Sequence, residues 1–345
     1  MKHNAFSRIV GARTGRRKRG LVAAAAVLAA GALAASLASP AQGVRAGEMD
    51  PRGFPANYTD PTGLTLVICE DGTARCGNAT PPDLDSPDGE NFYWMATATV
   101  PTARGPIDVE FALEAAWATA TKQIVFDRFR VRGHVSRAGK YTLLHPFGSN
   151  TVTATSPANA RNLNFTSDRG CGVLAANKAC KRRITNFLHP SNPGTVGYVG
   201  NPNRATQVTG STLRNKIVVM SGGRVIGQTS KFAIQGKVTG AAALLPSSRL
   251  DMGRARTAKT KSVVIRNPGD LALDISSITV TGAPSINRVS TSTCRSGATV
   301  ASGGSCTLTM RYRPNIAKLR VSTATVTIND NSPAGVHRMF VKARK

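Results

Sequence analysis

The sequence predicts an all-β protein with one short helix, in which a larger N-terminal β-rich domain precedes a C-terminal β-sandwich. Short runs of alternating apolar and polar residues recur at about the 8 to 12 residue spacing of sandwiches, separated by turns rich in Gly, Pro, Asn and Asp. Three pairs of cysteines, each local in sequence, match the disulfide chemistry of an exported β protein. These two observations carry the fold prediction.

Residues 1–41 have the pattern of an export signal. Basic residues up to Arg19 precede an apolar run from Leu21 to Ala38, and Ser39 and Ala41 stand where a cleavage site needs small residues. The run is close to the lower limit for a membrane span, so an anchor is the alternative. Its alanine content favours cleavage, and we predict an extracellular protein that associates with the cell wall. Arg16-Arg17 leaves the twin-arginine route open beside general secretion.

The mature chain divides into a β-rich domain over residues 47–240, a linker over 241–261 and a sandwich domain over 262–345. In the first domain, Leu64, Leu66 and Ile68 alternate as strand residues do after the turn at Asp60. The helix is predicted over 109–121, because Leu113, Ala116, Trp117 and Ala120 follow helical spacing.

Charge is uneven along the chain. The formal net charge is +27, and residues 151–345 have 28 Lys and Arg residues against 5 Asp and Glu residues. Such a basic surface favours anionic polymers or membranes as partners. The tight cluster Lys181, Arg182 and Arg183 is our candidate contact for an anionic cell-wall polymer, and another surface protein is the alternative partner. The few aromatic residues beyond Asn150 argue against nucleic acid, and a merely solvated basic exterior stays open.

The cysteines pair by proximity in sequence: Cys69 with Cys76, Cys171 with Cys180, and Cys294 with Cys306. Six thiols allow 15 connectivities, so the pairing is a prediction from locality and from the turn residues inside each pair. The metal-site alternative is weak, because the sequence contains no Cys-x-x-Cys and no His at ligand spacing from any pair.

No motif identifies a reaction, a cofactor or a metal. The histidines do not lie in a nucleophile elbow or a zinc-binding helix, and the acids Asp83, Asp85 and Asp88 are not spaced as an EF-hand, although calcium stays open. The alternative to a binding protein is a glycan-active or ester-active hydrolase. It would use carboxylates and a histidine between Asp108 and His145.

Tyr93, Trp94 and Trp117 form the strongest aromatic grouping. Exposed on a sheet, they would stack on sugar rings; in a β domain, such side chains more often belong to the core.

The C-terminal stretch resembles the Hydin/ASH-type immunoglobulin-like domain, also called choice-of-anchor D. The matching residues are Val264, Asn267, Gly269, Leu273, Ile275, Ile278, Val280, Gly304, Cys306, Leu308, Tyr312 and Pro314. The last strand departs from the family by ending on Lys342 to Lys345, where glycines are usual. The resemblance implies an immunoglobulin-like sandwich that binds or spaces, and no catalytic residues.

The N-terminal part resembles an uncharacterised domain of secreted actinobacterial proteins. The residues that carry this likeness are Pro55, Tyr58, Asp60, Gly63, Leu64, Leu66, Cys69, Asn91 to Trp94, Tyr141 and Pro146 to Gly148. No activity comes with it. The sequence therefore predicts a secreted, non-enzymatic binding or surface-associated protein.

Overall fold

The all-β prediction is confirmed. The computed structural model describes residues 43–76, 84, 89–170, 183–191 and 195–345, and the predicted signal peptide lies outside these ranges. In the described ranges the regular structure is strand, apart from two 3₁₀ turns at Ala74–Cys76 and Pro314–Ile316. No helix in that part of the chain is long and apolar enough to cross a membrane.

Fourteen of the described strands precede residue 240. They are β1 (Arg45–Ala46), β2 (Asn57–Thr59), β3 (Thr65–Val67), β4 (Glu90–Val100), β5 (Ile107–Thr119), β6 (Lys122–Gly133), β7 (Gly139–His145), β8 (Gly148–Ala154), β9 (Leu163–Gly170), β10 (His189–Pro190), β11 (Thr206–Thr209), β12 (Ile217–Ser221), β13 (Arg224–Thr229) and β14 (Lys231–Gly236). They form sheets of three, seven and four strands in the orders β1-β2-β3, β10-β11-β14-β4-β5-β6-β9 and β13-β12-β7-β8.

The long antiparallel strands β4, β5 and β6 are the centre of the seven-stranded sheet. Alternate residues such as Phe111 and Phe129 point to one face and are buried. They share a core with Tyr141 and Leu143 of the four-stranded sheet. This packing of two sheets defines the N-terminal core.

The helix predicted over residues 109–121 is wrong, because residues 109–119 lie in strand β5 and residues 120–121 form the turn that follows it. Its backbone is paired with β4 on one side and β6 on the other. Alanine favours a helix over other ordinary residues by at most about 0.7 kcal/mol per residue. Two ladders of backbone hydrogen bonds, one on each side of the strand, together with burial of Phe111 and Leu113, outweigh that preference.

The C-terminal strands form two sheets around a second core. They are β15 (Arg249–Arg254), β16 (Lys259–Arg266), β17 (Leu273–Gly282), β18 (Ile286–Arg288), β19 (Ala298–Val300), β20 (Ser305–Tyr312), β21 (Val321–Asp330) and β22 (Val336–Arg344). The sheet orders are β15-β22-β21-β17-β19 and β16-β20-β18. Leu308 and Tyr312 from the smaller sheet pack with Val326 and Val341 from the larger one, so the arrangement is a two-sheet sandwich.

The interval 241–261, predicted as a linker, is packed and contains β15 and the start of β16. Ala241, Ala243 and Leu245 belong to the C-terminal core, whereas Ala242 and Leu244 belong to the N-terminal core. An extended backbone presents alternate side chains to opposite sides, and alanine is small enough to fit between two cores. The small residues that suggested a linker therefore allow close packing between the two cores.

Two of the three predicted disulfides are confirmed. Cys69 is bonded to Cys76 with their Cα atoms 5.3 Å apart, and Cys294 is bonded to Cys306 with a Cα separation of 5.0 Å. Both separations lie in the range that a disulfide spans. Cys171 and Cys180 lie outside the described residues, so their pairing stays a prediction.

Candidate functional site

Strand β22 presents basic side chains to solvent. Residues of a strand alternate between its two faces, and β22 buries His337, Met339, Val341 and Ala343. The exposed residues between and after these, which we call the outer row, are Arg338, Phe340, Lys342 and Arg344. The inward residues anchor the strand in the core and thereby fix the direction of the outer row.

The outer row is regularly spaced along β22. Its members are two residues apart, or about 7 Å along a strand, and the whole row extends over roughly 20 Å. Phe340 lies between Arg338 and Lys342 and is 57% exposed. In register, Thr325 of β21 pairs with Phe340 on one side, and Arg249 of β15 pairs with it on the other. The hydroxyl of Thr325 therefore lies on one side of the outer row, and Arg249 adds a positive charge on the other side.

The outer row keeps most of its positive charge unneutralised. Arg344 forms an ion pair of 3.2 Å with Asp251 of β15, and both side chains are largely exposed. Within the described residues, Arg338 and Lys342 form no ion pair. A hydrogen bond from the backbone N–H of Gly253 and the charge of Arg344 lower the pKa of Asp251. An exposed pair of this kind contributes little to stability, so Arg344 is free to exchange partners.

Arg183, one of the three residues of the predicted basic cluster, does not lie on the surface. This side chain is buried, and its Nη1 lies 3.4 Å from Oδ1 of Asp127. It also donates to the hydroxyl of Ser167 at 3.0 Å, and its guanidinium lies over the ring of Phe129. Arg183 thus neutralises a buried carboxylate. Lys181 and Arg182 lie outside the described residues, so their contact with a polymer stays a prediction.

The aromatic stacking hypothesis fails for Tyr93 and Trp94, because both side chains are fully buried. Tyr93 donates its hydroxyl to the carbonyl of Pro55, and Trp94 donates Nε1 to the carbonyl of Leu188. The two residues are adjacent in β4, where the pairing with β5 shifts register between Phe92 and Trp94, and both are buried although regular alternation would send them to opposite faces.

Trp117 is only partly exposed. It donates Nε1 to the carbonyl of Leu84 at 2.7 Å, and its ring meets Phe54 edge to face. The aromatic ring that stands open beside cations is instead Phe340. An i, i+2 pattern of basic and aromatic residues in the last strand was the signal that sequence reasoning did not use.

The carboxylates of the predicted hydrolase region are engaged by arginines. Glu114 is fully buried and lies 2.9 Å from Arg128, which also reaches Glu90 and Asp168. Burial and the neighbouring carboxyl of Glu90 raise the pKa of Glu114 to about 10, against the charge of Arg128. A group so enclosed keeps its proton at neutral pH and does not reach solvent.

The other acidic side chains of the predicted hydrolase region also have partners within the protein. Glu110 pairs with Arg130 at 3.2 Å, and Asp108 accepts a hydrogen bond from Thr99 at 2.6 Å. Within the described residues the region does not assemble an accessible acid and base.

His145 is buried between aromatic rings of the N-terminal core. Its ring stacks on Phe129 at 5.1 Å. Nδ1 accepts the N–H of Phe147 at 3.2 Å, so Nε2 carries the proton and donates to Asn150 at 2.8 Å. Burial lowers the pKa of His145 to about 4, and the charges near it belong to arginines. This imidazole is a neutral core group, and among the residues that the structure describes no carboxylate orients it as a base.

A Ser, His and Asp set that the sequence analysis missed lies near the end of β21. The Nε2 atom of His337 is 3.0 Å from the hydroxyl of Ser332 and 3.2 Å from Oδ2 of Asp330. A catalytic triad places the serine and the carboxylate on different ring nitrogens. Here both approach the same nitrogen, and the side chains of Ser332, His337 and Asp330 are buried. The set is therefore a structural ion pair.

Comparisons with known proteins give no family. No protein-family model matches the chain, and no curated protein matches it. Among solved structures, the VesB protease of Vibrio cholerae matches with a TM-score of 0.28 and 11% identity over 74% of this chain and 96% of that one. The secreted serine protease VesC of the same organism matches with a TM-score of 0.26 and 12% identity over 74% and 71%. Similarities of this size carry no argument about function.

Proposed function

We propose that this chain is a secreted binding protein that attaches to an anionic extracellular polymer through the outer row. The observation that carries the proposal is that Arg338, Lys342 and Arg344 emerge on one face of one strand, with the open ring of Phe340 among them. In this proposal the C-terminal sandwich acts as a Hydin/ASH-type binding module. The N-terminal domain is then the part that it holds at the wall.

Charge complementarity supports an anionic partner. An extended polymer carries its charges along a line, and a strand is a linear support for side chains of the opposite sign. The chain beyond residue 151 is strongly basic, whereas residues 42–150 have 10 basic and 13 acidic residues. Electrostatic attraction therefore orients the C-terminal part toward the polymer. Phe340 supplies an apolar surface for the C–H face of a sugar ring.

The test is retention on purified cell walls and on immobilised polygalacturonate. We expect retention to fall steeply as salt rises, because the Debye length shrinks from about 10 Å at 0.1 M to about 3 Å at 1 M. The double charge reversal Arg338→Glu with Lys342→Glu should weaken binding at least about tenfold, or about 1.4 kcal/mol.

The matched control is Arg204→Glu with Arg224→Glu, which makes the same change of charge at exposed arginines of the N-terminal part. This control should weaken binding much less. Equal losses in the two variants would mean that net charge alone attracts the polymer, and the proposal would then be wrong. Retention that does not change with salt concentration would also contradict the proposal.

A further inference from the structure

A cavity of about 420 Å³ lies between the two cores, beside the interval 241–250. Its N-terminal wall comes from β10 and β11, and its C-terminal wall comes from β15 and β16. The volume falls within the range of small-molecule sites. The cavity is separate from the carboxylates and from His145 of the hydrolase hypothesis.

The charges that line the cavity all have one sign. Arg249, Lys261 and Arg266 reach it, and no Asp or Glu is among its lining residues. Lys261 donates to the backbone carbonyl of Asp251 at 3.1 Å. Within the described residues, Arg249 and Arg266 form no ion pair. Three cations without a carboxylate create a positive potential that attracts an anion, and guanidinium groups bind carboxylates and phosphates in two-point contacts.

The position of Arg266 is fixed by the backbone. Its N–H and carbonyl both bond to Leu244, at 3.2 and 2.8 Å, which ties the end of β16 to the segment packed between the cores. His189, a buried wall residue, adds no charge at neutral pH, because burial lowers its pKa to about 4. The positive charge is therefore held on rigid elements and does not depend on histidine protonation.

The rest of the wall suits a carbon skeleton. Leu244, Leu250, Val263 and Met339 give it an apolar part, and Ser191, Ser247, Ser262 and Thr209 also line it. A bare inorganic anion would leave the apolar wall uncovered. A sugar acid presents a C–H face, hydroxyls and a carboxylate together, which matches all three kinds of lining.

We propose that this cavity binds an anionic sugar unit. The inference rests on the proposed function and extends it, because Arg249 both lines the cavity and pairs with Phe340 of the outer row. Arg249 therefore places one wall of the cavity beside the outer row. The row supplies attraction of low selectivity, and the cavity recognises one acidic sugar.

The probe is digalacturonate, titrated calorimetrically into the full-length mature protein, with galactobiose as the neutral counterpart and sulfate as the bare anion. We expect digalacturonate to bind more tightly than either. The double variant Lys261→Gln with Arg266→Gln should lower its affinity at least about tenfold. The matched control Arg204→Gln with Arg224→Gln, which removes two charges from exposed arginines outside the cavity and the outer row, should change it by less than about twofold.

A second variant distinguishes loss of binding from loss of folding. Val264→Trp places a large ring at a wall position that is 38% exposed and should abolish binding while the thermal unfolding temperature stays close to that of the wild type. Equal binding of galactobiose or of sulfate, or unchanged affinity in both cavity variants, would overturn the inference. Polymer retention that depends on the outer row would survive that result, so failure of the cavity and failure of the proposed function are distinguishable.

Discussion

His337 of β22 donates a hydrogen bond from Nδ1 to the carbonyl oxygen of Thr62, 275 residues earlier in the chain. Its Nε2 faces the carboxylate of Asp330, and both of these side chains are fully buried. Because one ring nitrogen donates to a carbonyl and the other faces a carboxylate, the ring is held as an imidazolium. This contact joins the β21–β22 hairpin to the turn between β2 and β3.

The His337–Asp330 pair should make stability depend on pH. Burial acts to lower the pKa of His337, but the hydrogen bond and charge of Asp330 outweigh it and raise that pKa. In the same way, His337 lowers the pKa of Asp330 against burial. The histidine's contribution is complete below its unfolded pKa of about 6.5 and is lost as pH rises through the folded value. The aspartate's contribution is complete above about 3.9 and is lost as pH falls through the folded value.

We therefore expect the free energy of unfolding to include the whole contribution of the pair between about pH 4 and 6.5 and to lose part of it at alkaline pH. Denaturant unfolding of the wild type, His337→Gln, Asp330→Asn and the double variant measures this. Each single change should cost about 3 to 5 kcal/mol, and the double variant should cost less than their sum. Additive losses would show that the two groups are not coupled.

Gly63 is required where the hairpin meets the N-terminal turn. Its φ is +94°, and a Cβ built there would lie 2.1 Å from Nδ1 of His337. Gly63→Ala should therefore destabilise the protein through both backbone strain and a collision. The loss of stability should exceed the roughly 1 kcal/mol that strain at positive φ costs alone. Thermal and denaturant unfolding give the measurement.

Gly139→Ala is the matched control for this substitution. Gly139 also has a positive φ, of +123°, but a Cβ there meets nothing within 4 Å. The difference between the two variants isolates the collision with His337. Equal destabilisation in the two variants would mean that the contact between His337 and the turn at Gly63 adjusts without cost, contrary to the packing described above.

Glu114 should make the protein less stable as the solution becomes alkaline. Its folded pKa, about 10, exceeds its unfolded value, so the folded state binds the extra proton and stability falls between about pH 4.3 and 10. Glu114→Gln mimics the neutral carboxyl and should reduce this slope. The variant should match or exceed the wild type in stability at pH 9, as measured by urea midpoints across pH. Glu110→Gln, on the same face, removes only the last and smallest of the causes that raise the pKa of Glu114 and should keep most of the slope. A slope as steep as the wild type's in Glu114→Gln would refute this assignment.

Phe340→Ala should weaken polymer binding without unfolding the protein. The ring is mostly exposed, so its removal deletes little core packing and should change stability by no more than about 0.5 kcal/mol. The loss of binding should persist at high salt, because the contact with sugar rings is apolar and unscreened. Val225→Ala removes a comparably exposed apolar side chain outside the outer row and serves as the control. Salt-dependent loss in Phe340→Ala would contradict an apolar role.

The sequence alone determined the features that depend on short stretches of chain. The alternation in Leu64 to Ile68 and in β22 predicted strands, because side-chain direction repeats every two residues whatever the strand pairs with. The bonds Cys69–Cys76 and Cys294–Cys306 followed from small loops, since a short segment with a turn brings its own ends together. The basic character of residues 151–345 is a sum over composition and needs no fold.

Tertiary structure decided everything that depends on distant partners. Residues 109–119 form a strand because β4 and β6 pair with it on both sides, and Arg183 is buried because it pairs with the buried Asp127. The His337–Thr62 contact and the cavity between the cores join segments far apart in sequence. Local propensities differ by tenths of a kcal/mol per residue, whereas removing one partner of a buried ion pair costs about 3 to 5 kcal/mol. Contacts of that strength exist only after folding, and their partners cannot be read from local sequence.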